Sequence, residues 1–398
     1  MPTGKEKKNQ DARLYSAHGV SANKSEVKAA IAHLDPGLFP TAFCKVLPDI
    51  TKDPTFCSVI HTDSAGTKAS LAYMYFKETG NVSVFRGIVR DAVVMNVDDL
   101  ACIGAVDSLL LNDTLNRNKF LIPGEVIATV IDEFDQFTKK LTRLGISVGF
   151  GGGETADVGD LVRTIDVICT ITTRLPRKEV VTNDHIQPGD VIVGLASSGQ
   201  AAYEDVYNSG MGSNGLTLAR HGTLHPDYRT KYPEAYDPAI RETAFSGKYH
   251  LTDTDPHLPY DIGTALLSPT RPYAPIIREI LTLNFDGVHG LVHCTGGGQT
   301  KCLNAGREIH YVKDDLFPVP RVFDIIQQSS NASWREMYQV FNMGHRMEII
   351  CPPAAADQFI DISKQYRVEA KVIGRCEKSS DTANHVTIIT SEGKYAFP

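Results

Sequence analysis

Short apolar runs alternate with longer amphipathic runs along both halves of this 398-residue chain, and that alternation is the strongest constraint on its fold. Strand and helix periods in succession call for α/β or α+β domains, in which helices cover sheets. In the first half, residues 58–62, 106–111, 146–150 and 164–173 predict strands, and 91–104 and 124–144 predict helices. In the second half, 191–196, 287–293, 346–351 and 368–373 are strand-like, while 272–283 and 353–365 are helix-like. The spacing is clearest in 124–144, where Val126, Ile127, Val130, Ile131, Phe134, Phe137 and Leu141 predict one buried helix face.

A chain of this length outgrows one hydrophobic core, so two domains are expected. The polar, proline-containing stretch 174–189 is the expected junction, giving domains over 21–175 and 190–398. Residues 1–20 are expected to form a mobile arm, with a possible ordered stretch at 15–20. Residues 221–260 hold five Tyr, five Pro and four His without clear periodicity, which predicts a long surface excursion inserted in the second domain.

Lys plus Arg number 40 against 47 for Asp plus Glu, and beyond Lys5, Lys7 and Lys8 no basic stripe appears. Nucleic acid is therefore not an expected partner. No apolar run reaches the roughly 18 residues of a membrane helix, and the polar start lacks the apolar core of a signal peptide, so a cytoplasmic protein is expected. The eight cysteines are scattered without a Cys-x-x-Cys pair and read as reduced core thiols.

Four constellations carry chemistry. The first is His61-Thr62-Asp63-Ser64-Ala65-Gly66-Thr67-Lys68, an acid at a strand end followed by a small-residue turn. Its carboxylate can hold a metal, and its amides, hydroxyl and ammonium can hold phosphate, although an ordinary polar turn has the same composition. The second is the helix bearing Asp91, Asp98 and Asp99 on an apolar background. At about 100° per residue Asp98 lies roughly 20° and Asp99 roughly 80° from Asp91, so the three acids share one side. Like charges so placed repel unless a cation lies among them, and metal binding is the expectation.

The third constellation is Gly149-Phe150-Gly151-Gly152-Gly153-Glu154, expected as a turn after a strand where backbone approaches a ligand. The fourth is Cys294-Thr295-Gly296-Gly297-Gly298-Gln299-Thr300, after a strand and suited to an anion. Gly210, Gly212 and Gly215 match the dinucleotide-binding spacing, but no strand precedes them, and the match is read as accidental.

Taken together these segments resemble aminoimidazole ribonucleotide synthetases, the phosphoribosylformylglycinamidine cyclo-ligases. The resemblance rests on Asp-Ser-Ala-Gly-Thr-Lys (63–68), residues 91–104, Gly-Gly-Glu-Thr-Ala (152–156), Ser-Ser-Gly (197–199) and Ser-Asn-Gly (213–215). Ser-Pro-Thr-Arg (268–271), Thr-Gly-Gly-Gly (295–298) and Met-Tyr-x-x-Phe-Asn-x-Gly (337–344) complete it, so that it runs from about residue 15 to the C-terminus.

The resemblance implies two α/β domains and a homodimer whose N-terminal strands pair into a central β-barrel. It implies a phosphoribosyl substrate, formylglycinamidine ribonucleotide, closed to aminoimidazole ribonucleotide with ATP and magnesium. It places ATP on Asp63, Gly66, Thr67, Lys68, Asp113, Gly152, Gly153 and Glu154, and the metal on Asp63, Asp91, Asp98, Asp99 and Glu154. It puts Lys68, Asp91 and Glu154 in catalytic roles and gives the substrate to Ser213, Asn214, Gly215, Arg271, Thr295, Gly296, Gly297 and Gly298.

Departures accompany it, beginning with the segment before the first motif, where the family is glycine-rich and residues 37–43 hold one glycine, Gly37. Gly212 stands where the family commonly has His, 13 residues (200–212) separate Ser-Ser-Gly from Ser-Asn-Gly, and Gln299-Thr300-Lys301-Cys302 replaces the family's continuation after the glycines. His221, His225, His250 or His257 could supply a replacement imidazole, although each reads as a surface residue. Two alternatives stand beside the cyclo-ligase: another ATP-dependent enzyme of the superfamily acting on a small acceptor, and a catalytically silent scaffold.

Overall fold

The computed structural model describes residues 12–22 and 25–398, so Lys5, Lys7, Lys8 and most of the expected mobile arm lie outside the described residues. Two mixed sheets organise the rest. The first contains β1 (Leu47–Pro48), β2 (Phe56–Ser64), β3 (Leu109–Arg117), β4 (Val148–Asp157) and β5 (Ile165–Pro176), in the order β1-β2-β5-β3-β4. The second contains β6 (Val191–Ala196), β7 (Gly290–His293), β8 (Ile309–Lys313), β9 (His345–Cys351), β10 (Ala370–Lys378), β11 (His385–Thr390) and β12 (Gly393–Phe397), in the order β12-β11-β8-β10-β6-β9-β7. Among these strands, β3 with β4 and β8 with β11 pair in parallel, and the other pairs are antiparallel.

The principal helices are α1 (Lys68–Thr79), α2 (Val84–Ala101), α3 (Gly124–Arg143), α4 (Leu216–Thr223), α5 (Ala274–Asn284), α6 (Arg321–Ser330), α7 (Trp334–Val340) and α8 (Pro353–Gln365). Of these, α2 explains most of the architecture. It is buried almost all round, with Phe85, Ile88, Val89, Val93, Val94, Val97 and Leu100 excluded from solvent. A helix without a wet face must be covered on every side. The first sheet covers one side through β2 and β5, α3 lies on another, and α5 of the second half covers a third.

Strand alternation orients the first sheet. Cys57 and Val59 on β2 are buried, whereas Ile60 is 62% exposed and Leu110 on β3 is 63% exposed. One face therefore meets α2, and the opposite face presents aliphatic side chains to water. The sheet is open in the single chain.

Several sequence expectations shift. The helix expected at 91–104 begins seven residues earlier, at Val84, where Arg86 and Arg90 of its first turns pair with Glu133 of α3, a partner that no local window of sequence shows. The glycine run 149–153 is part of strand β4 rather than a turn, with a bulge opposite Leu111 and Asp113 where Gly152 takes a φ of 79°. In α3, Ile131 is 45% exposed, outside the buried face formed by Val126, Val130, Phe134, Phe137 and Leu141.

The 221–260 excursion is packed rather than draped. Tyr228, Tyr232, Tyr236, Phe245 and Leu251 are buried, and His221, expected at the surface, is buried against Phe245. The segment holds α1 by polar clamps: Tyr73 donates to Glu234 at 2.5 Å, Ser70 to the Ala235 carbonyl at 2.9 Å, and Tyr232 to Glu78 at 2.5 Å. All eight cysteines are buried and unbridged, as expected.

Candidate active site

The turn after β2 and the amino end of α4 face each other across a cavity of about 500 Å³. Its walls include His61, Asp63 and Thr67 from the first half and Met95 and Asp99 from α2, with Ser213 to Thr217, Thr295 to Gly297 and Lys301 from the second half. The two halves touch directly through the Thr67 and Thr217 hydroxyls, 3.1 Å apart. Asp63 caps its own turn by accepting the Ser64 amide at 2.7 Å, and Gly66 takes a φ of 57°.

Glycine is required at one wall position and at one just behind the wall. Gly215 begins α4 with a φ of 76°, and a Cβ there would lie 2.3 Å from the Phe341 ring. Gly298, with a φ of 51°, would place a Cβ 2.5 Å from the Phe341 carbonyl oxygen. Gly296 and Gly297 share the positive φ, so this loop runs past the cavity with backbone rather than side chain against it.

The three acids of α2 do not form one open cluster, because each meets its own partner. Asp91 accepts Lys68 Nζ at 3.0 Å and both the Thr270 amide and hydroxyl, at 2.8 and 2.6 Å. Asp98 accepts the Tyr273 and Ala274 amides at 2.9 Å and so caps α5. Burial pushes its carboxyl up to about 7, against the pull of nearby Arg346 and those amides. Asp99 alone of the three lines the cavity; it accepts His293 Nδ1 at 2.7 Å and lies 3.4 Å from His61 Nε2. Burial would raise the Asp99 carboxyl, but the His293 hydrogen bond and the neighbouring cationic groups hold it below the usual range. The expected need for a cation among all three acids is thus removed by Lys68, the α5 amides and His293.

Other expected site residues are also engaged elsewhere. Lys68 is wholly buried, and its three N–H bonds reach Asp91, the Gly212 carbonyl at 3.0 Å and the Ser268 carbonyl at 2.6 Å. It joins the two halves instead of facing the cavity. Arg271 is buried in a two-pronged pair with Glu204, at 3.0 and 2.7 Å, and also donates to the Ala196 carbonyl. Glu154 is exposed on the outer strand β4. Asp113 is buried on β3 beside Gly152 and Gly153, where burial raises its carboxyl to about 6. Asp113, Gly152, Gly153 and Glu154 do not line the cavity, whereas Asp63, Gly66, Thr67, Ser213, Asn214, Gly215, Thr295, Gly296 and Gly297 do.

Sequence reasoning gave no role to His61 or Lys301. His61 stood in the quoted motif, two residues before Asp63, which is the strand spacing that puts both on one face. Its Nδ1 pairs with Asn96 Oδ1 at 2.8 Å. Lys301 sits in the segment that departs from the family after the glycines and brings an ammonium to the wall.

Beneath the glycine loop lies a buried polar network. Lys313 donates to the Gln299 carbonyl at 2.7 Å and to Glu348, and His345 pairs with Glu348 at 2.9 Å. Gln299 donates to the Asn342 carbonyl and, at 3.1 Å, to that of His345, while Asn342 donates to the Gly210 carbonyl at 2.8 Å. The glycine loop and the approach to Ser213–Gly215 therefore share one support. Burial alone would raise the Glu348 carboxyl, but Lys313 and His345 hold it at about 2.

Comparison with known proteins places both halves of the chain in one family. Residues 44–174 match the family described as AIR synthase related protein, N-terminal domain, and 187–386 match its C-terminal domain. A phosphoribosylformylglycinamidine cyclo-ligase of Pyrococcus horikoshii is 32% identical over 314 residues, 78% of this chain and 77% of that protein. One of Methanococcus vannielii is 29% identical over 320 residues, 80% of this chain and 77% of that protein. In fold, the chain is similar to phosphoribosylformylglycinamidine synthase II of Thermotoga maritima, with a TM-score of 0.52 and 14% identity. That match covers all of this chain but 51% of the larger one, so the chain spans about half the length of that synthase.

Proposed function

The chain belongs to the AIR synthase related protein family, and from that membership we propose that it is a phosphoribosylformylglycinamidine cyclo-ligase, closing formylglycinamidine ribonucleotide to aminoimidazole ribonucleotide in purine biosynthesis. The observation that carries the reading is the cavity where the Asp63 turn, the Ser213–Gly215 segment and the Thr295–Gly297 loop converge. Two glycine-containing turns and a lysine suit phosphate groups, and two carboxylates suit the cation that accompanies them.

The chemistry is a transfer followed by a ring closure. The formyl oxygen of the substrate attacks the γ-phosphorus of ATP, forming an O–P bond and releasing ADP. The ring-closing nitrogen then attacks the activated carbon, loses its proton, and the oxygen departs as phosphate. Such a reaction needs alignment and charge stabilisation more than a protein nucleophile.

Magnesium fits the donor set. Asp63 and Asp99 are hard oxygen donors lining the same cavity, and magnesium takes one or two carboxylates together with substrate phosphates. These two residues would hold it, and it would supply charge neutralisation for the triphosphate. Thr67 and the amides near Gly66 would orient ATP, while Ser213, Asn214, Thr295 and the glycine loop, with Lys301, would hold the ribose phosphate. A homodimer joined through the exposed face of the first sheet, closing a barrel, accounts for the aliphatic Ile60 and Leu110 there. The test is incubation with substrate, ATP and magnesium, following the imidazole by diazo colour; ADP release without an imidazole product would overturn the assignment.

A further inference from the structure

We propose that His225, Asp227 and His250 form a zinc site that staples the base of the 225–250 loop. None of the three lines the cavity, so the site is separate from the proposed chemistry.

The backbone presets the ligands. Leu224 and Tyr249 form a β-bridge: the Tyr249 amide donates to the Thr223 carbonyl at 3.1 Å, and the His225 amide donates to the Tyr249 carbonyl at 2.8 Å. His225 and His250 therefore stand side by side, with ring centroids 4.7 Å apart and planes 28° apart. Both direct a ring nitrogen to one carboxylate oxygen, since His225 Nδ1 is 3.1 Å and His250 Nε2 is 3.4 Å from Asp227 Oδ2. Ligands at about 2.0–2.2 Å from a tetrahedral zinc lie roughly 3.3–3.5 Å from one another. The two histidine-to-aspartate distances, 3.1 and 3.4 Å, are near that spacing, and the candidate ligand atoms all lie within 4.8 Å of one another.

The surroundings support a metal ligand set over a chance contact. Asp253 accepts the His250 amide at 2.7 Å and so fixes the backbone that carries this ligand, with its carboxylate 3.7 Å from Nδ1. The Tyr228 ring packs edge-on against His250, with centroids 5.7 Å apart. Two imidazoles and one carboxylate match zinc, whereas magnesium and calcium take oxygen ligands. The side chains of His225, Asp227 and His250 are 36%, 70% and 42% exposed, which leaves a way in and room for water as a further ligand. Between the ligands lie Lys231, Tyr232 and Glu234, which clamp α1 through Glu78 and Tyr73, so zinc would fix that clamp.

The experiment titrates the metal-stripped full chain with zinc chloride against a chromophoric chelator, beside His225→Ala and His250→Ala. One more zinc per chain in the unaltered protein than in either variant is expected, with affinity lowered at least about tenfold in the variants. Zinc should raise Tm by about 3 °C in the unaltered protein only. Zinc held by carboxylates elsewhere would remain in the variants and is thereby subtracted. Because both histidines are half-exposed, the variants should keep the parent circular dichroism spectrum. Equal stoichiometry in all three proteins, or no zinc-dependent shift in Tm, would overturn the proposal.

Discussion

Lys68 Nζ lies 3.0 Å from Asp91 Oδ1 and 2.9 Å from Oδ2, with neither side chain exposed to solvent. The same ammonium holds the carbonyls of Gly212 and Ser268, so one side chain ties α1 and α2 to two loops of the second half. Lys68→Met leaves a buried carboxylate without its counter-charge and should cost about 3–5 kcal/mol in denaturant unfolding. Adding Asp91→Leu should recover part of that loss. A variant of unchanged stability with a raised KM for ATP would return Lys68 to the phosphate role expected from its motif.

The Glu348 pair gives stability a pH dependence. Its carboxyl is held at about 2 by Lys313 and His345, below the unfolded value of 4.5. A depressed carboxyl contributes stability that is present above the unfolded value and is lost as pH falls from about 4.5 toward 2. Glu348→Gln should therefore be less stable by about 3–5 kcal/mol at neutral pH, and the difference should shrink on acidification through that window. A gap independent of pH would contradict the ion pair.

Gly298→Ala should disturb the loop rather than the core. Its φ of 51° and the Phe341 carbonyl 2.5 Å from an added Cβ force the backbone to move. A stability loss of about 1–3 kcal/mol is expected, with KM for the phosphoribosyl substrate raised more than KM for ATP. Equal changes in both would detach the loop from the ribose phosphate.

Asp63→Asn should raise the magnesium concentration for half-maximal activity by at least about tenfold while leaving Tm within a few degrees. Unchanged magnesium dependence would remove Asp63 from the metal.

Ile60→Lys or Leu110→Lys places a charge on the exposed face of the first sheet, where each parent residue is more than 60% exposed. Sedimentation should show a monomer with stability changed by no more than about 0.5 kcal/mol. A dimer surviving both would move the interface to another surface.

The sequence made the two-sheet α/β plan legible because apolar periodicity survives burial on one face, as in α8, whose limits match the spacing read from residues alone. It failed where burial is complete. In α2 every side is covered, so Asp91, Asp98 and Asp99 looked like a shared metal cluster, and only tertiary neighbours show that Lys68, the α5 amides and His293 each take one. Arg271 and Glu204 illustrate the same limit: a buried pair 67 residues apart leaves no local signature. β4 was misread because glycines that signal a turn in a local window also fit a bulged strand beside Asp113, where a Cβ on Gly153 would meet the Asp113 carbonyl at 2.2 Å.

The most direct measurement follows the formyl oxygen itself. With substrate carrying ¹⁸O in the formyl group, ATP and magnesium, the account predicts one labelled phosphate and one ADP for each imidazole formed. Imidazole accompanied by unlabelled phosphate, or ADP formed without imidazole, would contradict it.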